Sequence, residues 1–210
     1  CDALELQPAQ IEGRVDVVWA SPPCTHFSRA RTTAKTPRNL ELSDKLVQVG
    51  IDLARHFGAL LFMENPQSML QYREIVKDLR MELLDYCRYG ESDPEWPKLY
   101  RKRTMIFCSG HDWQPARPLC RKDCLGCPDG RKHTEQAQRI KTASARGNRL
   151  EELYAIPSSL PRELLAWWND KRTHLLHLLE TRHWRAKTNR MNIAHKKRYL
   201  PCVSATGKKS

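Results

Sequence analysis

The sequence predicts an α/β fold. Two observations carry that reading: a strand–helix–strand unit near the start, and chemistry-bearing residues at the ends of its strands. Val15 to Ala20 is a short apolar run rich in valine that stops sharply at Ser21-Pro22-Pro23, the pattern of a buried strand entering a turn. The two prolines fix the backbone ahead of Cys24 and hold its thiol in a set direction. An arbitrary free cysteine is usually a small buried hydrophobe. One presented at the carboxyl end of a strand in an open sheet stands where ligands bind, and is a candidate nucleophile.

Composition narrows the partners. A chain of 210 residues with a mean hydropathy of −0.67 holds one domain plus appendages that lie outside a core. No apolar run reaches membrane-spanning length, and no charged-then-apolar leader is visible. The chain opens on Cys1 rather than Met, so further sequence is expected upstream. Eight cysteines without a secretion signal point to a reducing, intracellular setting, with nucleus, cytoplasm and nucleoid not distinguished. A net charge of +12 and a pI near 9.5 favour a polyanion as partner, usually nucleic acid. The competing reading of that charge is solubility or a basic tail. A monomer is expected.

Along the chain, Thr25 to Leu40 carries Arg29, Arg31, Lys35 and Arg38 with no acid. This suits a segment closing over phosphates, or an ordinary solvated loop. Ser43 reads as a helix N-cap, and Leu46, Val47, Gly50, Ile51, Ala54 and Phe57 then recur at helical spacing until Gly58. Ala59 to Met63 is a second buried strand, expected to run parallel to the first through a right-handed crossover. It ends in Glu64-Asn65-Pro66. Parallel neighbours share one edge, which sets Cys24 and Glu64 before one pocket; taken alone, Glu64 reads as a loop or capping carboxylate. A helix within Ser68–Leu79, a strand over Leu83–Tyr89 and a turn over Gly90–Lys98 follow. Arg101 and Arg103 then lead into a strand over Thr104–Cys108.

Residues 108–133 change character, with Cys108, Cys120, Cys124 and Cys127 beside His111 and His133. The Cys120, Cys124 and Cys127 spacing suits half of a zinc knuckle, with a fourth ligand from Cys108, His111 or His133. Cys108 is the first choice, and a loop of unligated thiols is the rival. Pro161 starts a further helix whose Leu164, Leu165, Trp168, Leu175, Leu176 and Leu179 are expected to pack on the sheet. Beyond Glu180 nine Lys or Arg residues occur with no acid, among them Lys196-Lys197-Arg198 after His195. That stretch reads as a disordered basic tail.

Ser21-Pro22-Pro23-Cys24 with Phe27-Ser28 resembles the Pro-Cys motif of the cytosine-C5 DNA methyltransferases. Glu64-Asn65-Pro66 resembles their Glu-Asn motif, and Arg101-Lys102-Arg103 their Arg-x-Arg motif. Thr25 and Leu99 stand where that family usually has Gln. The resemblance covers residues 15–110; the Cys-rich insertion is more loosely similar to that of compact phage-type members. It implies a partial Rossmann-like methyltransferase sheet with helices on both faces, with the Gly-rich cofactor loop lying upstream. It divides the chain into a catalytic half at 1–110, a Cys/His-rich insertion for target recognition at 111–150, a helical segment at 151–181 and the tail at 182–210.

The roles implied are Cys24 as nucleophile toward cytosine C6, Glu64 at N3, and Arg103 and Arg101 at the base or phosphate. Pro22, Pro23, Asn65, Ser28, Arg29 and Arg31 would line the substrate, which is expected to be double-stranded DNA with the target base flipped out. Asp2 and Pro22 would touch S-adenosylmethionine, the implied methyl donor. A catalytically silent nucleic-acid-binding remnant and an RNA cytosine methyltransferase are the alternatives. A cysteine-phosphatase loop does not fit, because the position six after Cys24 is Ala30. Amino-group methyltransferases carry an aromatic residue where this chain has Cys24.

Overall fold

The computed structural model describes residues 2–29, 31–32, 34–91, 93, 99–134 and 155–173. Its centre is a four-stranded sheet of β1 (Val17–Ala20), β2 (Leu60–Pro66), β3 (Arg80–Asp85) and β4 (Arg103–Ser109), ordered β1-β2-β4-β3. β1 and β2 run parallel, with Val17 beside Leu60 and Ala20 beside Met63, as the strand–helix–strand reading requires. β4 is antiparallel to both β2 and β3. It follows that β1, β2 and β3 point the same way. Their carboxyl ends therefore share one edge with the start of β4, and that edge positions every residue of the site.

The crossover between β1 and β2 is α1 (Leu40–Phe57). It starts before the expected Ser43, because the Asn39 side chain accepts the Leu42 amide at 3.0 Å and caps the first turn. Ser43 instead lies inside the helix, buried, with its hydroxyl donating to the Asn39 carbonyl. Gly58 ends the helix in the left-handed region at φ +59°, as expected. Val47, Gly50 and Ala54 form the buried face, which joins Phe27, Leu61, Met63, Leu70, Val76, Met105 and Phe107 in the core. Gly50 permits a close approach: a Cβ there would stand 2.9 Å from the Cβ of Ala20, the last residue of β1.

Two expected elements differ. Ser68–Leu79 is not one helix but two short 3-10 turns, Met69–Tyr72 and Glu74–Val76. Arg73 between them is extended, and its guanidinium reaches back to Asp44 on α1 at 2.5 Å. The strand expected over Leu83–Tyr89 is displaced toward the N-terminus as β3. It ends where Asp85 meets Arg103 directly across the ladder, and the chain turns into α2 (Tyr86–Gly90), which buries Tyr86, Cys87 and Tyr89.

The chain divides into a unit of residues 1–163 and a second of residues 164–210. In the first, Asp93 accepts from the Ser158 hydroxyl at 2.8 Å and the Ser159 amide at 3.1 Å, and residues 159–163 are helical. In the second, the described residues 164–173 are helical. The remainder of the expected recognition insertion, Leu175, Leu176, Leu179 and the basic tail lie outside the described residues. No helix among the described residues is long and apolar enough to cross a membrane.

Gly50→Val is expected to destabilise the fold by about 1–3 kcal/mol, since the added carbons must displace β1. Chemical denaturation reads that loss, and unchanged stability would contradict the close packing of α1 on Ala20.

Candidate functional site

Cys24 follows β1 and is held from the neighbouring strand. The amide of Asn65, wholly buried on β2, donates to the Pro22 carbonyl at 2.9 Å, while its Oδ1 accepts from Ser68 at 3.1 Å. Asn65 is thus occupied within the protein, positioning the Pro-Pro-Cys turn. After Cys24 the chain turns at once: its carbonyl accepts the amides of Phe27 at 3.0 Å and Ser28 at 2.8 Å. The Phe27 ring is fully buried in the core. Arg38 holds the base of the basic loop, donating to the carbonyls of His26 at 2.6 Å and Ser28 at 2.9 Å. Arg31 binds Thr36 within that loop at 2.5 Å, and Arg29 donates to the exposed Tyr72 hydroxyl at 2.9 Å.

Glu64 lies within β2 rather than after it, and is only 5% exposed. The Tyr86 hydroxyl donates to its Oε1 at 2.8 Å, and Lys102 Nζ is 3.8 Å from the same oxygen. Lys102 also sits over the Tyr86 ring, 4.8 Å from its centroid. Burial pushes the Cys24 thiol above its ordinary value; the Lys102 charge opposes that rise and the Glu64 charge adds to it. Burial likewise pulls the Lys102 ammonium down, against Glu64 and Cys24. Thiol, carboxylate and ammonium therefore form one electrostatic cluster. Lys102 escapes sequence reasoning because it reads as the variable position between two arginines.

Those arginines turn to another partner. Arg103 meets Asp85 through two bonds, Nε to Oδ1 at 3.1 Å and Nη2 to Oδ2 at 2.8 Å, and Arg101 approaches Oδ1 at 3.4 Å. The Cys120 amide donates to Oδ2 at 3.0 Å. Burial alone would raise the Asp85 carboxyl, but the bonds and charge of Arg103, then Arg101 and the Cys120 amide, outweigh it and hold it below the usual carboxylate range. Successive residues at the entrance to β4 thus alternate: Arg101 and Arg103 serve Asp85, and Lys102 serves Glu64.

Beyond Asp85, Cys87, Cys120, Cys124 and His133 converge with their ligating atoms within 4.8 Å of one another. Cys120, Cys124 and the alternative His133 are brought together as the spacing suggests, whereas Cys127 is buried nearby but outside this set. Cys108 is a correction: it pairs with Arg80 and Phe62 toward the far end of β4, because that strand runs away from the site edge. Cys87, not Cys108, completes this geometric group. It was missed because it lies far upstream in sequence, on the helix that follows β3. His111 instead bonds the Leu61 carbonyl at 2.9 Å. Asp2 is exposed, and its carboxylate accepts the Leu4 amide at 3.0 Å.

Asp85→Asn is expected to destabilise the protein by about 1–3 kcal/mol, because it weakens the charge-assisted bonds from Arg103 and Arg101 to a buried side chain. A carboxyl depressed in the folded state stabilises above the unfolded pKa and loses that contribution as pH falls through its folded value. The stability gap between the two proteins therefore closes on acidification, a trend that denaturation across pH reads. For Cys24, peptide-resolved alkylation against pH is expected to show the midpoint rising in Lys102→Met and falling in Glu64→Gln. Shifts of the opposite sign would refute the cluster.

Over 141 residues the chain is 28% identical to a probable DNA (cytosine-5)-methyltransferase of Frog virus 3 (isolate Goorha). The match covers 60% of this chain and 57% of that protein, so the chain spans little more than half of the relative's length. No protein-family profile matches the chain, and no solved structure does. The chain is thus a mixed α/β protein with distant similarity to a probable DNA cytosine methyltransferase.

Proposed function

We propose that this chain carries the catalytic half of a DNA (cytosine-5-)-methyltransferase, on a partial Rossmann-like sheet. The observation that carries the reading is a half-buried thiol and a buried carboxylate at one sheet edge, with Lys102 in electrostatic reach of both. The similarity to the viral protein and the charge of +12 support a nucleic-acid substrate, and double-stranded DNA is the proposed one.

Cytosine C5 is a weak nucleophile. In this reading the Cys24 thiolate adds to C6, and the electron pair of the C5–C6 double bond moves onto C5 and into the ring. Glu64 acts here through a carboxyl proton, donating a hydrogen bond to N3 and stabilising the negative charge that develops there. The Lys102 ammonium favours the thiolate, and the Tyr86 hydroxyl fixes the Glu64 carboxyl group. Arg103 and Arg101, tied to Asp85, act first as positioning residues for the edge on which the base would sit.

S-adenosylmethionine supplies the methyl group in this class of reaction. Of the residues assigned to it, Asp2 caps its own turn and the Pro22 carbonyl is taken by Asn65. With both of those residues engaged within the protein, the chemistry derived from this chain's own residues ends at the C6 adduct. The charge of +12 also suits one second reading, a catalytically silent nucleic-acid-binding chain.

DNA carrying pyrimidin-2-one in place of cytosine accepts a thiolate at C6 without a methyl donor, and tests the attack directly. The expected result is a denaturation-stable adduct through Cys24, absent in Cys24→Ser and slowed about 100-fold or more in Glu64→Gln. Tight binding with no adduct would favour the silent reading, and an adduct with the matching RNA alone would reassign the substrate.

A further inference from the structure

We infer that Cys87, Cys120, Cys124 and His133 bind a structural Zn²⁺ that clamps the Cys-rich segment onto α2, at the end of β3. All four side chains are buried, and among the described residues the cysteines are free rather than bridged. His133 Nε2 stands 3.1 Å from Cys124 Sγ and 3.5 Å from Cys120 Sγ. Zinc with bonds of about 2.3 Å to sulfur and about 2.0 Å to nitrogen places its tetrahedral ligand atoms roughly 3.5–3.8 Å apart. A spread of at most 4.8 Å therefore closes on an ion by small side-chain movements. Three thiolates and an imidazole suit zinc over the hard, oxygen-seeking cations. They also fill all four positions, which makes the site structural rather than catalytic.

The surrounding backbone is arranged for it. Lys122 takes a left-handed φ of +69°, and its amide donates to Cys120 Sγ at 3.3 Å, a bond that stabilises a thiolate. The segment is docked on α2 and the residues just beyond it independently of any ion. Arg88 pairs with Asp123, and the Leu125 amide donates to Glu91 at 2.7 Å. Gly126 passes so close to the Leu99 carbonyl that a Cβ would stand 2.3 Å from its oxygen. These contacts bring residues 120–134 to Cys87, a ligand that local Cys spacing does not supply. The Cys120 amide, one bond from a ligand residue's own Cα, reaches Asp85. Zinc binding accordingly fixes the donor that completes the Asp85 cluster, and this holds whatever reaction the edge performs.

The test is metal analysis of the full chain expressed with zinc, alongside single substitutions. One zinc per chain is expected, retained in Cys108→Ser and Cys127→Ser and lost in Cys87→Ser and His133→Ala. Should the substituted chains fold poorly, X-ray absorption at the zinc edge of the unsubstituted protein decides: three sulfurs and one nitrogen are expected. Metal-free protein, a shell of four sulfurs, or zinc retained by Cys87→Ser or His133→Ala would overturn the proposal.

Discussion

A buried carboxylate must be compensated or neutralised, and Asp85 is the point at which this fold meets that demand. Its side chain is wholly covered, and its partners come from the start of β4 and from the Cys-rich segment. The residues that follow it extend the same logic. Tyr86 turns to Glu64 on β2, and Cys87 turns to the thiol and imidazole cluster. Three consecutive residues at one strand end therefore address the arginines, the buried glutamate and the thiol–imidazole cluster. Loss of the first would loosen the other two.

At Cys24 the opposing influences are visible in one place. Burial and Glu64 favour the protonated thiol, while Lys102 favours the thiolate. A raised thiol forms less thiolate at neutral pH, but each thiolate formed is the stronger nucleophile. The direction of the Cys24 thiol is set by the two prolines together with Asn65, which grips the Pro22 carbonyl from the adjacent strand.

The parallel β1–β2 pair and its crossover helix were legible because their signals are local: valine runs, helical periodicity and a terminal glycine. The early start of α1 was not, because its cap is Asn39, whose amide donates to His26 across a loop. The Ser68–Leu79 helix failed for a tertiary reason, as Arg73 leaves the helical conformation while its side chain pairs with Asp44. β3 was misplaced because Arg80 and Glu82 disguise an edge strand as surface. In the candidate site, Cys24 and Glu64 could be read from strand ends. Lys102, Tyr86 and Cys87 could not, since each matters only through a partner distant in sequence. Domain boundaries and the individual substrate roles go beyond what backbone periodicity encodes.

Three adjacent cations, Arg101-Lys102-Arg103, look interchangeable by charge. Alternation makes them unlike, sending both guanidinium groups to Asp85, which Arg103 grips with its planar fork, and the lone ammonium to a buried glutamate oxygen. A one-residue insertion between Arg103 and Thr104 would keep all three cations yet shift them by one position against the ladder and exchange the two destinations. An ammonium would then face Asp85 and a guanidinium would crowd Glu64 and Cys24. Spacing in this short run is consequently a stricter requirement than charge, and frame-preserving indels there should be tolerated far less than lysine–arginine swaps on the exposed surface.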